Sequence, residues 1–103
     1  MEDSRYARQE RLPQIGASGQ KALRDRTVAI IGLGALGSVG SDLLARAGVG
    51  RMLLIDRDIV EVSNLQRQTL YTEEDARLGL PKAVAAEQRL ASVNPEVALE
   101  IHT

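Results

Sequence analysis

Apolar positions change their period several times along this chain of 103 residues. TVAIIGLG, residues 27–34, is a continuous aliphatic run, rich in β-branched residues and closed by Gly, which is the pattern of a short buried strand. From Ala35 the spacing turns helical. Leu36, Val39, Leu43, Leu44 and Ala47 recur as one apolar face, and Gly48 and Gly50 supply the stop. RMLLID, residues 51–56, reads as a second strand. PKAVAAEQRLASV, residues 81–93, reads as a helix with Pro81 at its first position and Ala83, Ala86, Leu90 and Val93 on one face. Asn94-Pro95 ends that helix, and VALEIHT, residues 97–103, alternates as a third strand. Between the second strand and the last helix, SNLQRQTLYTEEDARLG (63–79) is long and polar for a connection. It is expected to be irregular, with Glu73, Glu74 and Asp75 forming a helix-initiating acidic turn. Upstream, residues 3–12 are polar and expected to be helical. GASGQKALRD (16–25) is expected to form a second short helix with Ser18 or Gly19 near its start.

The order strand, helix, strand, helix, strand predicts an α/β fold: a Rossmann-like parallel sheet with right-handed crossovers and helices on both faces. About three strands make its N-terminal half, preceded by one or two short helices. The expected organisation is a single domain over 1–103, with a helical arm at 1–26 and a βαβαβ nucleotide-binding unit at 27–103. Such a half leaves a parallel strand unpaired and one sheet face poorly covered. The chain is therefore expected to be the front part of a larger domain, or to complete itself by oligomerising.

Composition narrows the field. Apolar residues make up 44% of the chain, yet Phe and Trp are absent and Tyr6 and Tyr71 are the only aromatics, so the core must be aliphatic. A net charge of −1 offers no basic field for nucleic acid. The absence of Cys excludes a disulfide framework, a thiolate zinc site and a Cys nucleophile within these residues. No apolar run approaches the ~18 residues of a membrane helix, and MEDSRYARQER has no apolar signal core. A soluble, cytoplasmic protein is the expectation.

Gly32-Leu33-Gly34-Ala35-Leu36-Gly37 fits G-x-G-x-x-G with a strand before it and a helix after it. Gly32 permits the tight turn, Gly34 lets backbone approach a phosphate, and Gly37 lets the helix pack close to the strand. Asp56 follows Gly37 by 19 positions, at the end of the second strand, where a carboxylate accepts the hydroxyls of a ribose. These features point to nucleotide binding without choosing between a dinucleotide and ATP. Two cations bear on that choice. Lys82 falls in the first turn of a helix, where a cation opposes the macrodipole unless a polyphosphate faces both. The bland alternative is a solvated Lys. Arg67 lies in the loop beyond the carboxyl end of the second strand, the edge at which open α/β sheets bind ligands. Its alternative is a surface Arg paired with Glu61, Glu73 or Glu74.

With these residues in hand, the chain resembles the ubiquitin-activating-enzyme-like adenylyltransferases of the ThiF/MoeB/HesA type. The resemblance runs through RYARQ (5–9), GLGALGS (32–38), RAGVG (46–50), LIDRDIVEVSNLQRQ (54–68), GLPKA (79–83) and NPEV (94–97). It implies an ATP site lined by Gly32, Gly34, Ala35 and Gly37, where Ala35 stands at a position at which the family often has Gly. It further implies that Asp56 holds the ribose and that Asn64, Arg67 and Lys82 contact the triphosphate. Arg67 and Lys82 would steady charge as pyrophosphate leaves. Arg8 resembles the family's arginine that reaches across a homodimer into the partner's site. The implied reaction is attack of the C-terminal glycine carboxylate of a ubiquitin-like sulfur carrier, ending in Gly-Gly, on the α-phosphorus of MgATP. ATP and Mg2+ are thus the implied cofactors, and SNLQRQTLYTEEDA leans toward the thiamin rather than the molybdopterin type. Members also carry a magnesium-organising Asp on a later strand, and many carry paired CxxC zinc ligands and a mobile Cys segment; none of these falls within residues 1–103.

Two other functions share part of this pattern. A nicotinamide-dependent oxidoreductase uses Gly32 to Gly37 and Asp56 but gives no reason for Asn64, Arg67 and Lys82. A non-catalytic module would bind nucleotide or dimerise only. Among the remaining residues, Asp58 is expected to cap nearby N–H groups rather than bind metal, and His102 to have no catalytic role. Tyr6 and Tyr71 are expected to be half-buried packing residues, and Leu65 to anchor its loop. Gln66 and Gln68 have no assignment.

Overall fold

A computed structural model of the protein describes residues 4–103. Two short helices, α1 (Ala7–Glu10) and α2 (Gly16–Arg24), precede β1 (Thr27–Ile31), α3 (Ala35–Ala47) and β2 (Arg51–Ile55). A 3-10 turn (Val62–Asn64) and α4 (Glu73–Leu78) break up the long polar connection before α5 (Lys82–Val93) and β3 (Ala98–His102). The expected helix over 3–12 is thus only one turn long, and its start at residue 3 lies outside the described residues. The acidic turn does start a helix. Thr72 caps α4 in a reciprocal box with Asp75, and Gly79 closes it in the left-handed region at φ 61°. Pro81 stands just before α5 rather than in it, a one-residue shift of the expected boundary.

The three strands are parallel, in the order β1-β2-β3, with Thr27 opposite Arg51 and Arg51 opposite Ala98. The parallel α/β class is as expected, and the two crossover helices lie together on one face of the sheet. Two right-handed crossovers that step in the same direction must fall on one side of the sheet. Accordingly α3 and α5 pack against each other and against one sheet face. That face supplies the core from Met52 and Leu54 of the central strand, flanked by Val28, Ile30, Leu99 and Ile101. The opposite face carries Arg51, Glu100 and His102, with Glu100 paired to Arg51 and hydrogen-bonded to the His102 ring (2.7 Å).

Helix α3 corrects the expected apolar face. Leu36 is 90% exposed, Leu43 60% and Val39 43%, while Ser38, Ser41 and Ala45 are fully buried. Small side chains let the helix axis come close to the sheet and to α5, which bulky residues on that face would prevent. A Cβ on Gly37 would stand 1.9 Å from the Gly32 carbonyl oxygen, which measures how close the approach is. The buried hydroxyls are satisfied locally: Ser38 donates to the Leu33 carbonyl (3.2 Å) and Ser41 to the Ser38 carbonyl (3.2 Å). On α5 the expected face holds, with Ala83, Ala86 and Leu90 buried and Val93 half-buried.

At the C-terminal end of α3, its last carbonyls are taken up by side chains from elsewhere. Gln9 and Gln20 both donate to Ala47 (2.5 and 3.0 Å), and Asn94 donates to Ala45 (2.7 Å). Asn94 also donates to the Tyr6 hydroxyl (2.9 Å), which in turn donates to Glu96 (2.9 Å). Burial, first of all, raises the ionisation of Tyr6 above its ordinary value. This cluster ties α1 and α2 to the amino edge of the sheet.

Candidate nucleotide site

At the opposite, carboxyl edge, the chain leaves β1 through Gly32 at φ 93°, a conformation open to glycine and strained for other residues. The Leu33 peptide that follows is held from both sides. Its N–H donates to Asp56 Oδ2 (2.8 Å), while its carbonyl accepts from the Tyr71 hydroxyl (2.6 Å) and from Ser38. Tyr71 is therefore a buried clamp on the glycine loop rather than a half-buried packing residue. Burial raises its ionisation well above the ordinary tyrosine value; Ser38 opposes the shift, and Asp56 and Asp75 add to it. Gly34 begins α3 without any side-chain cap, so the N–H groups of Ala35, Leu36 and Gly37 in the first turn point outward without intrahelical partners.

Asp56 ends β2 beside this loop. Its second oxygen accepts the Asp58 N–H (2.7 Å), so both oxygens already hold one backbone donor and keep further lone pairs. An open cleft of about 360 Å³ lies along this edge, between Ile31, Gly32, Ile55, Asp56 and Asp58. Gly32 and Asp56 line it together; Asn64, Arg67 and Lys82 stand outside its wall. They are nevertheless held to the same edge. Lys82 begins α5 and its N–H donates to the Asp58 carbonyl (2.8 Å), with Val60 N–H donating to Leu80 (2.8 Å) next to it. Asp58 thus accepts through its carbonyl and donates through its N–H, and its exposed carboxylate caps nothing.

The side chain of Lys82 is 7% exposed, contrary to a solvated lysine, and makes no ion pair among the described residues. Arg67 is exposed and donates to the Ser63 carbonyl (3.1 Å); it pairs with none of Glu61, Glu73 or Glu74, and Glu74 instead binds Arg77. Asn64 has a local task that its sequence position did not reveal. Its Oδ1 accepts the Glu61 N–H (2.9 Å) in a reciprocal box that shapes the 3-10 turn, which leaves its Nδ2 for another partner. Arg8 is exposed on α1, at the far end of α3. A 13-residue helix spans ~20 Å, so Arg8 does not share an edge with the glycine loop of its own chain.

Sequence reasoning missed Tyr71 and Gln68. Gln68 is 5% exposed and its Nε2 lies against Gly34, 3.8 Å from where a Cβ would stand. A lone buried-range aromatic within a polar donor loop was the available signal for Tyr71; for Gln68 there was none. No cluster of three or more His, Cys, Asp or Glu occurs among the described residues, so they offer no ready metal cage.

The chain is 56% identical over 93 residues to the sulfur carrier protein ThiS adenylyltransferase of Bacillus subtilis, covering 90% of this chain and 28% of that protein. To the molybdopterin-synthase adenylyltransferase of Escherichia coli it is 48% identical over 95 residues, covering 92% and 37%. Among solved structures, E. coli MccB with ATP superposes at a TM-score of 0.87 and 32% identity, covering 99% of this chain and 31% of that one. TcdA (CsdL) does so at 0.87 and 32%, covering 95% and 37%. The chain spans about a third of the length of the curated relatives it matches. The ThiF family model matches residues 6–103, nearly every residue described, and the chain therefore belongs to the ThiF family.

Proposed function

We propose that the protein carrying this chain is an ATP-dependent adenylyltransferase acting on the C-terminal glycine carboxylate of a ubiquitin-like sulfur carrier. One observation carries the reading. Two cations without ion-pair partners among the described residues, Arg67 and Lys82, stand at the same sheet edge as a glycine loop and a helix N-terminus without a side-chain cap. The loop and Asp56 alone would serve a dinucleotide equally well; the cations favour a triphosphate. The naming of the B. subtilis and E. coli relatives supports the carrier class and the thiamin or molybdopterin context.

In this reading Gly32, Gly34, Ala35 and Gly37 line the nucleotide and Asp56 receives the ribose. Asn64, through its free Nδ2, joins Arg67 and Lys82 on the phosphates. A carboxylate oxygen attacks the α-phosphorus; the new P–O bond forms as the bond to the bridging oxygen breaks, and pyrophosphate leaves with that electron pair. No proton moves in the step. Both reactants are anions, so fixed cations are what bring them together and stabilise the charge that builds. Magnesium enters as part of the substrate MgATP.

Residues up to 26 form the arm that carries Arg8, and 27–103 the nucleotide-binding unit. Arg8 lies ~20 Å from its own glycine loop, which supports action on the site of a second copy in a homodimer. The place of action is the cytoplasm, where ATP and carrier meet; among the described residues no helix is long and apolar enough to cross a membrane. ATP–pyrophosphate exchange in the full-length protein tests the reading. Exchange that depends on a carrier ending in Gly-Gly is expected. Binding of ATP with no exchange would make the protein a non-catalytic nucleotide module.

A further inference from the structure

Among the described residues, Gln68 has the one buried side-chain oxygen without a hydrogen-bond partner. Its Nε2 has no protein acceptor either. The backbone holds it in place, its N–H donating to the Asn64 carbonyl (2.9 Å). Nor is the neighbouring Leu33 peptide available, since its N–H is taken by Asp56 and its carbonyl by Tyr71 and Ser38. Leaving the buried Oε1 unpaired is a cost that the fold alone does not explain, while Nε2 reaches solvent beside Gly34 and is open to a ligand. The amide faces Gly34, the residue whose missing Cβ opens the N-terminus of α3.

We propose that Gln68 is a phosphate-binding residue of this site, its Nε2 donating to a phosphate oxygen seated over Gly34. This rests on the nucleotide reading above and adds to it a group that reads phosphate. Turning the amide over would bring its oxygen against an anion, so the ligand selects the orientation with the donor outward. Asp56 serves the sugar from the cleft side of the loop; Gln68 serves the phosphate from the other.

Calorimetric titration of the full-length protein with ATP and with adenosine tests the assignment, together with the Tm of the ligand-free protein. Gln68→Met keeps the bulk and removes both unpaired polar atoms. It should weaken ATP about tenfold and leave adenosine within about twofold. Its ligand-free Tm should equal or exceed that of the wild type, because an unpaired buried group is gone. Gln68→Glu, which sets a carboxylate against the phosphate, should weaken ATP further and keeps the test open if the Met variant does not fold. If wild type and Gln68→Met bind ATP equally, the Gln68 assignment falls and the nucleotide reading stands. Equal loss for ATP and adenosine with a lowered Tm gives Gln68 a structural role instead. Should the wild type itself fail to bind ATP, both fall.

Discussion

The two ends of helix α3 treat their polar groups in opposite ways. At the C-terminal end the carbonyls of Ala45 and Ala47 receive Asn94, Gln9 and Gln20, and Tyr6 closes the network. At the N-terminal end the first-turn N–H groups have no side-chain cap; among the described residues the side chains of Gln68 and Lys82 have no partner there, and Arg67 reaches only the Ser63 carbonyl. One helix thus has a negative end neutralised by the fold and a positive end left for something else. Helix α4 shows that a capped start is within this chain's means, since Thr72 and Asp75 close it with a reciprocal box. The C-terminal end is closed by side chains, and the N-terminal end is not.

This contrast can be broken by substitution, and Arg67→Ala should have the largest effect. Exchange should drop about 10²–10³-fold, roughly 3–4 kcal/mol of transition-state stabilisation, with stability within ~0.5 kcal/mol of wild type. A loss of stability without loss of exchange would return Arg67 to the fold. Asn94→Ala is the mirror experiment. Removing a fully buried donor leaves the Ala45 carbonyl and the Tyr6 hydroxyl without it, which should cost about 2–3 kcal/mol in denaturant unfolding. ATP affinity of the folded variant should be unchanged; a fall in affinity would mean the two ends are not separable.

Tyr71→Phe lies between the two, because Tyr71 is paired but holds the glycine loop. It should cost about 1 kcal/mol. Its pH signature is specific. The folded protein holds Tyr71 above the ordinary tyrosine value of ~10, so the stability linked to its neutral form is full below that pH and is lost as pH rises beyond it. Unfolding curves above pH ~10 should fall less steeply in Tyr71→Phe than in wild type. Equal slopes would deny that Tyr71 is the buried titrating group. The smallest signal is complementation: mixing Arg8→Ala with Asp56→Ala chains should restore about a quarter of the sites in a random homodimer mixture. No recovery would remove Arg8 from the partner's site.

The order of strands and helices was legible because β-branched runs, glycine stops and a shift to helical spacing mark it locally. The facing of α3 was not. Leu36, Val39 and Leu43 carry the hydrophobicity, but the core needs close approach, and Ser38, Ser41 and Ala45 supply it. Hydrophobic periodicity misreads a helix whose buried face is chosen for size. The same holds for the site. Gly32 to Gly37 and Asp56 announce themselves by spacing, since the turn and the strand end are local. The clamp of Tyr71 on Leu33 joins residues 38 positions apart, and the packing of Gln68 beside Gly34 is likewise tertiary. No local pattern encodes either.

Parallel titration of the full-length protein with ATP and with NADH tests most directly whether the unpaired edge is a triphosphate site. ATP should bind and NADH should not, because Arg67 and Lys82 match the greater charge of a triphosphate. Tight binding of NADH without binding of ATP would contradict that and make the edge an ordinary dinucleotide site.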